Sequence, residues 1–381
     1  MSFTSHSHSH ASTRGPFKAD VVGSLLRPAR IHDARARMAA GQVTREDVWK
    51  VESDCVAEAV ALQKDVGLQV CTDGEYHRRH WFVDFIERID GIGFAGGLPT
   101  RFQTEEGFIE FSPPKIITIG KLRRTKSLAL DDFKDLKPLA EQAGLTAKQP
   151  IPSPTLVHFR SGDPGVNRQA YPDIADYYHD LAQVYRDEIK ALYDAGCRYI
   201  QIDETNFPFL CDPNMHDHVR SIGEDPVKLQ VKYKDLINAV TKDRPADLTI
   251  AMHMCRGNHE SAWAAAGSYD FIAEVAFGEL DIDAVFLEYD TERAGSFAPL
   301  KHLSDRKVAV LGLVTSKKPD LESKTLLKRR IEEAAKFVPL DRLALSPQCG
   351  FASTIGGNHL TVDEEMAKLR LVVETAKEIW G

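Results

Sequence analysis

Eight short apolar runs recur along the chain, and nearly every one ends on or beside a polar or ionisable residue. They are Ala19–Val22, Leu68–Thr72, Pro152–His158, Tyr199–Asp203, Leu248–His253, Val285–Glu288, Val308–Leu313 and Leu343–Ser346. Each is rich in aliphatic or β-branched residues and short enough to be a parallel strand buried on both faces. Longer segments with apolar residues at helical spacing lie between them: Ile174–Ala195, Pro226–Thr241, Leu321–Phe337 and Val362–Ile379. The last opens on Thr361-Val362-Asp363-Glu364, the pattern of a capping box. Alternating strands and helices imply an α/β fold, either a closed barrel or an open doubly wound sheet.

The polar residues discriminate between the two. Gly23 and Ser24 follow the first run, and Asp73, Gly74 and Glu75 follow the second. His158 closes the third, Asp203 and Glu204 the fourth, His253 and Cys255 the fifth, and Glu288 the sixth. Thr315 follows the seventh and Cys349 the eighth. In a closed barrel all strand C-termini meet on one face, and that face carries the active site. In an open sheet the same residues would lie along a line. The expectation is therefore a (β/α)₈ TIM barrel. Residues from about 91 to 149 break the rhythm. There Phe108–Phe111 and Lys115–Ile119 flank Ser112-Pro113-Pro114, which reads as a β-hairpin insertion in the loop after strand 2. No linker or internal repeat divides the rest. The expected organisation is one catalytic domain, 16–381, behind a disordered tail, 1–15, in which Ser alternates with His6, His8 and His10.

With 43% hydrophobic and 27% charged residues in 381, the chain can build a large core without disulfide or metal staples. A net charge of −8 argues against a nucleic-acid partner. Lys121, Arg123, Arg124 and Lys126 read as a solvated loop face. No apolar run approaches the roughly 20 residues that span a bilayer, and the N-terminus lacks the apolar core of a secretory signal. The six cysteines are scattered without a disulfide-framework spacing, which points to a reducing compartment and hence the cytoplasm.

In His253-Met254-Cys255 the outer two side chains point the same way if the segment is extended. Convergence with Glu288 and Cys349 would supply one nitrogen, one oxygen and two sulfurs, a tetrahedral zinc set. The competing reading is that a lone His-x-Cys is incidental and a buried Cys only a small hydrophobe. Asp203 and Glu204 either bind a cationic group and tune a proton, or cap the following loop. Arg78 and Arg79 are either solvated or hold an anionic substrate tail.

Taken in order, Val21-Val22-Gly23-Ser24, Thr72-Asp73-Gly74-Glu75, Gln201-Ile202-Asp203-Glu204, His253-Met254-Cys255, Leu287-Glu288 and Gln348-Cys349-Gly350 resemble the catalytic C-terminal barrel of cobalamin-independent methionine synthase. They are closer still to its stand-alone single-barrel relatives. The resemblance implies a zinc-dependent thiol alkyltransferase that methylates homocysteine to methionine, with His253, Cys255, Glu288 and Cys349 as zinc ligands. It implies that Ser24, Glu75 and Asp203 hold the amino-acid part of the thiol: the two acids pair with its ammonium, and the Gly23–Ser24 backbone meets its carboxylate. Arg78 is the further substrate-binding candidate, and Asp203, Glu204 and His158 are the candidates for proton transfer. Two segments depart from the family pattern. Gly312–Pro319 lacks the histidine that the synthase carries after strand 7, and Val157-His158-Phe159-Arg160 replaces its folate-stacking tryptophan. The alkyl donor and the oligomeric state are accordingly left open. The alternative enzyme reading is alkyl transfer to another thiol, as in epoxyalkane:coenzyme M transferase, and the non-enzymatic one is a barrel with a structural zinc.

Overall fold

The computed structural model describes residues 14–97 and 99–381, so His6, His8 and His10 lie outside the described residues. The described strands are β1 (Val70–Cys71), β2 (Asp90–Gly97), β3 (Thr100–Gln103), β4 (Phe108–Phe111), β5 (Pro114–Arg123), β6 (Thr146–Ala147), β7 (Gln149–Pro152), β8 (Tyr199–Glu204), β9 (Thr249–Met254), β10 (Ala284–Glu288), β11 (Val308–Val314) and β12 (Leu343–Pro347). Strands β7 to β12 form one parallel sheet in sequential order. Every residue of β8, β9, β10 and β12 is buried, as both faces of a helix-covered parallel sheet require. The fold is therefore α/β with a parallel sheet.

Beside this sheet, β1 and β6 make a short parallel pair, and β6 runs on into β7 through Lys148, whose N–H donates to the Cys71 carbonyl. The first expected strand, Ala19–Val22, is reduced to one bridge between Ala19 and Leu345 of β12. Side chains replace the missing ladder. Thr72 donates to the Gly23 carbonyl at 2.6 Å and Gln201 to the Val22 carbonyl at 2.7 Å. The wholly buried Lys148 ammonium bonds Asp20 at 2.9 Å and Gln201 at 3.0 Å.

Two expectations are corrected. The third run does not extend to His158: the strand ends at Pro152, and Thr155–Phe159 is a short helix. Pro152 and Pro154 lack the N–H a ladder needs, so the last ladder bond is Ser153 N–H to the Asp203 carbonyl at 2.8 Å, and the chain turns there. Nor do the two strand-like pieces around Ser112-Pro113-Pro114 pair with each other. Phe108–Phe111 pairs antiparallel with β3, and β5 pairs antiparallel with β2, so residues 90–123 form a ribbon of two successive ladders. The proline pair takes the donors away where a tight hairpin would need them.

The main helices follow their caps. Ile174–Asp194 starts on Asp173, Pro226–Thr241 on Asp225, and Val362–Trp380 on a full capping box of Thr361 and Glu364. The fourth, Lys324–Ala334, is shorter than expected because Ser323 caps it from inside the predicted span. No helix among the described residues is long and apolar enough to cross a membrane.

Candidate metal centre and substrate cavity

The C-terminal ends of the parallel strands open into a cavity of about 720 Å³. On its wall the ligand atoms of His253, Cys255 and Cys349 all lie within 4.8 Å of one another, and all three residues are buried. The two sulfurs stand 3.5 Å apart and form no disulfide. Two thiolates on one tetrahedral zinc, each at the usual Zn–S length, would be about 3.8 Å apart. The spacing and the donor set, one imidazole and two soft sulfurs, therefore fit zinc.

The three groups hydrogen-bond to one another and so share their protons. Burial opposes an imidazolium at His253, yet hydrogen bonds to Asp203 and Cys349 raise its pKa to about 10. The hydrogen bond from Cys255, aided by His253, favours the thiolate at Cys349 in spite of burial, and the same contact holds the Cys255 thiol up. His253 Nε2 contacts the Gln348 carbonyl at 3.2 Å and its Nδ1 lies 3.4 Å from Asp203. Cys349 is carried by a turn that admits no side chain at the next position. A Cβ on Gly350 would lie 2.0 Å from Ser24 Oγ.

Glu288, the fourth expected ligand, is not in this convergent group. Its carboxylate is buried and engaged elsewhere: Arg293 and Lys317 pair with Oε1, and the Arg256 N–H donates to Oε2 at 2.8 Å. Although burial opposes ionisation, Lys317 and Arg293 hold it well below the usual carboxylate range.

An acidic wall adjoins the metal candidates. Ser24, Glu75 and Asp203 all line the cavity. Asp203 Oδ1 accepts from Gln201 at 2.7 Å. Glu75 stands in a left-handed turn, φ 59°, fixed by its N–H donating to Asp73 at 2.9 Å. Backbone strain of this kind persists only where the surroundings hold it. Gly23 packs against that turn, where a Cβ would be 3.0 Å from Glu75 Oε1. Burial, reinforced by Asp203 and Asp73, pushes the Glu75 pKa to about 8 against the pull of Arg78. Its Oε2 is buried and has no hydrogen-bond partner. An unpartnered buried acceptor in a cavity wall is a place for a donor from outside.

Other expected residues stand apart. Glu204 touches the cavity, but its carboxylate accepts from Thr155 at 2.5 Å and from the Asn206 and Phe207 amides, which makes it a loop cap. Arg78 is not among the lining residues; it donates to the Pro150 carbonyl at 2.6 Å and lies 3.5 Å from Asp132 and 3.9 Å from Glu75. His158 is also outside the lining. The early end of β7 turns it outward, where its ring bonds Tyr233 at 3.0 Å and Asp163 at 3.1 Å. Arg79 pairs with Asp84 and Glu87 at the surface. Arg293, His80 and Arg160 were not anticipated as site residues. Nothing in their spacing marks them, because the ribbon and loops that bring them in are not periodic.

The catalytic-domain model of the cobalamin-independent synthase family matches residues 163–378. Among curated proteins, the uncharacterised YxjH of Bacillus subtilis is 44% identical over 374 residues, covering 96% of each chain. A methionine synthase of Saccharolobus solfataricus is 25% identical over 332 residues, covering 87% of this chain and 86% of that protein. Among solved structures, a Listeria monocytogenes chain provisionally described as a vitamin-B12 independent methionine synthase is 39% identical. It superposes with a TM-score of 0.76 and covers 97% of this chain and 99% of that one.

Proposed function

Since this chain belongs to the cobalamin-independent methionine synthase family, we propose that it is a zinc-dependent thiol methyltransferase whose acceptor is homocysteine. The supporting observation is the juxtaposition, on one cavity wall, of the His253–Cys255–Cys349 group with the orphaned Glu75 Oε2 and the Asp203 carboxylate. The first group suits a metal and the second suits an ammonium. Homocysteine carries a thiol and an ammonium on one short chain, so it bridges the two.

In this reading His253, Cys255 and Cys349 are the protein's zinc ligands. Three protein ligands with an open fourth position is the pattern of catalytic zinc, whereas structural sites are closed. When bound there, zinc supplies the positive charge that keeps a thiol deprotonated near neutral pH, where a free thiol is mostly protonated. Glu288 waits at the neighbouring strand end, clamped by Lys317 and Arg293. Glu75 and Asp203 take the ammonium, and the backbone at Gly23–Ser24 takes the carboxylate. Gln201 and the left-handed turn at Glu75 keep these acids in place, so that orientation is set before the substrate arrives. The thiolate sulfur then attacks the alkyl carbon of the donor. The new S–C bond forms as the old bond to that carbon breaks, and the electron pair leaves on the donor atom, which takes up a proton. The same reading includes a closed (β/α)₈ barrel, one domain over 16–381 with the ribbon as its insertion, and a reducing cytoplasmic setting for six free cysteines.

Titration calorimetry of the zinc-loaded protein tests the acceptor. Homocysteine is expected to bind, and 4-mercaptobutyrate, which lacks the ammonium, to bind about tenfold or more weakly. Asp203→Asn is expected to erase that preference. Equal binding of the two thiols to the native chain would sink the proposal.

A further inference from the structure

The cavity has two ends of opposite character. The strand ends supply Glu75 and Asp203, while the rim supplies a cation with no counter-charge. The Arg160 guanidinium lines the cavity, yet among the described residues it has no carboxylate partner, and its Nε is buried without a hydrogen bond. Its one ring contact is Phe82, whose centroid lies 4.7 Å from the guanidinium. Burial alone moves its pKa down to about 10, so it stays charged at neutral pH. Arg160 is half-buried, and a charge drawn even partly away from water is normally paired. Other arginines drawn away from water are all held: Arg78 meets Asp132 and Glu75, Arg293 meets Glu288, and Arg27 and Arg256 donate to backbone carbonyls.

His80 stands beside it on the same wall. Both of its ring nitrogens are buried and unpartnered. Burial, with Arg160 adding to it, drops its pKa to about 3, so the ring is neutral and offers one donor and one acceptor. The two residues are joined to a flat apolar surface. The Phe111 ring, delivered by β4, lies nearly parallel to His80 at 6.0 Å and to His259 at 4.3 Å. Two unsatisfied polar side chains and a wall of stacked rings make a built site with nothing in the protein to fill it.

We propose that this rim is a binding subsite for an oxyanion, a carboxylate or a phosphate, carried on a ring-containing ligand. Arg160 is its counter-charge, His80 its hydrogen-bond partner, and Phe111 with His259 the surface against its ring. The identification of that ligand with the alkyl donor rests on the thiol-methyltransferase reading; the subsite itself does not.

Trp81 and Trp263 also line the cavity, so tryptophan fluorescence of the full chain reports occupancy. Benzoate, phenyl phosphate, neutral benzamide, and ringless acetate and inorganic phosphate serve as probes. At least one aromatic anion is expected to quench saturably, and about tenfold or more tightly than benzamide or its ringless counterpart. Whether benzoate or phenyl phosphate is the tighter tells which oxyanion the rim prefers. Arg160→Gln is expected to bring the anion down to the affinity of benzamide while leaving benzamide unchanged, and Arg160→Lys to keep part of the preference. Thermal melting of Arg160→Gln should show no loss of stability, since the variant removes a half-buried charge that has no carboxylate partner. Equal binding of benzoate, phenyl phosphate and benzamide by the native chain, which needs no variant, would overturn the proposal. So would equal binding of the ringed and ringless anions, or an anion affinity indifferent to Arg160→Gln. Homocysteine calorimetry on the same preparation separates the two readings. Anion discrimination without homocysteine binding removes the acceptor and leaves the subsite standing. Homocysteine binding without discrimination does the reverse.

Discussion

Glu365 illustrates how one buried carboxyl sets a pH response. It lies on the helix Val362–Trp380, buried, with Oε1 accepting the Leu26 N–H at 3.1 Å. Burial raises its pKa from 4.5 to about 8. Between those values the folded chain keeps a proton that the unfolded chain has released. Its contribution to stability is therefore complete below pH 4.5, falls as pH rises through the window, and levels off above about 8. Glu365→Gln keeps the acceptor and removes the titration. Its melting temperature, followed by circular dichroism, should match the native chain near pH 5 and exceed it by a few degrees near pH 8.5. A gap between the two proteins that stays constant with pH would refute this account. His77 acts in the same direction. Burial disfavours its charge, but Asp135 and Glu52 raise its pKa to about 9, so stability gained from this contact is lost as pH climbs through that value.

Elements carry the site by where they stop. Strands β8 to β12 were legible because each is a continuous apolar run whose polar residue falls at the C-terminal end, so Asp203, His253, Cys255 and Cys349 could be named from the sequence. The convergence of His253, Cys255 and Cys349 is visible in the structure, whereas Glu288 points into the Arg293–Lys317 pair. Nothing local to Glu288 announces that pairing, since its partners come from two later loops. His158 was misplaced for a different reason. Thr155-Leu156-Val157 has the composition of a strand, and the flanking prolines that end it act by removing donors, which composition does not reveal. The turn after β12 offers a sharp test of element ends. In Gly350→Ala the new Cβ meets Ser24 Oγ, so Cys349 must shift. Metal analysis after dialysis should show zinc affinity down about tenfold or more with the helical circular dichroism retained. Adding Ser24→Ala, which deletes the colliding oxygen, should recover most of the loss. A double variant no better than the single one would place the cause elsewhere.

At the scale of the molecule, metal and fold are coupled by mass action. If His253, Cys255 and Cys349 bind zinc only when the chain is folded, a hundredfold excess over Kd adds about 2.7 kcal/mol. Calorimetric scans should show a transition lowered by a few degrees on chelation, restored by zinc, and insensitive to either treatment in Cys255→Ser. A native chain whose transition ignores chelation would count against resident zinc. The ribbon of residues 90–123 bears on a different matter, that of descent. Its ladders are internal, β2 with β5 and β3 with β4, and its bridge to the loop after β9 is the single pair Gln103 and Trp263. Yet it presents Phe102 and Phe111 to the cavity. Ile116 and Leu122 tie β5 into the main core, whereas Phe102, Ile109 and Phe111 of β3 and β4 pack in a separate cluster with Ala262 and Ala264, so changes in those two strands leave the parallel sheet untouched. That pair of strands can be rewritten in one lineage after another while the sheet beneath is inherited unaltered, so relatives should differ first in what they accept at the rim.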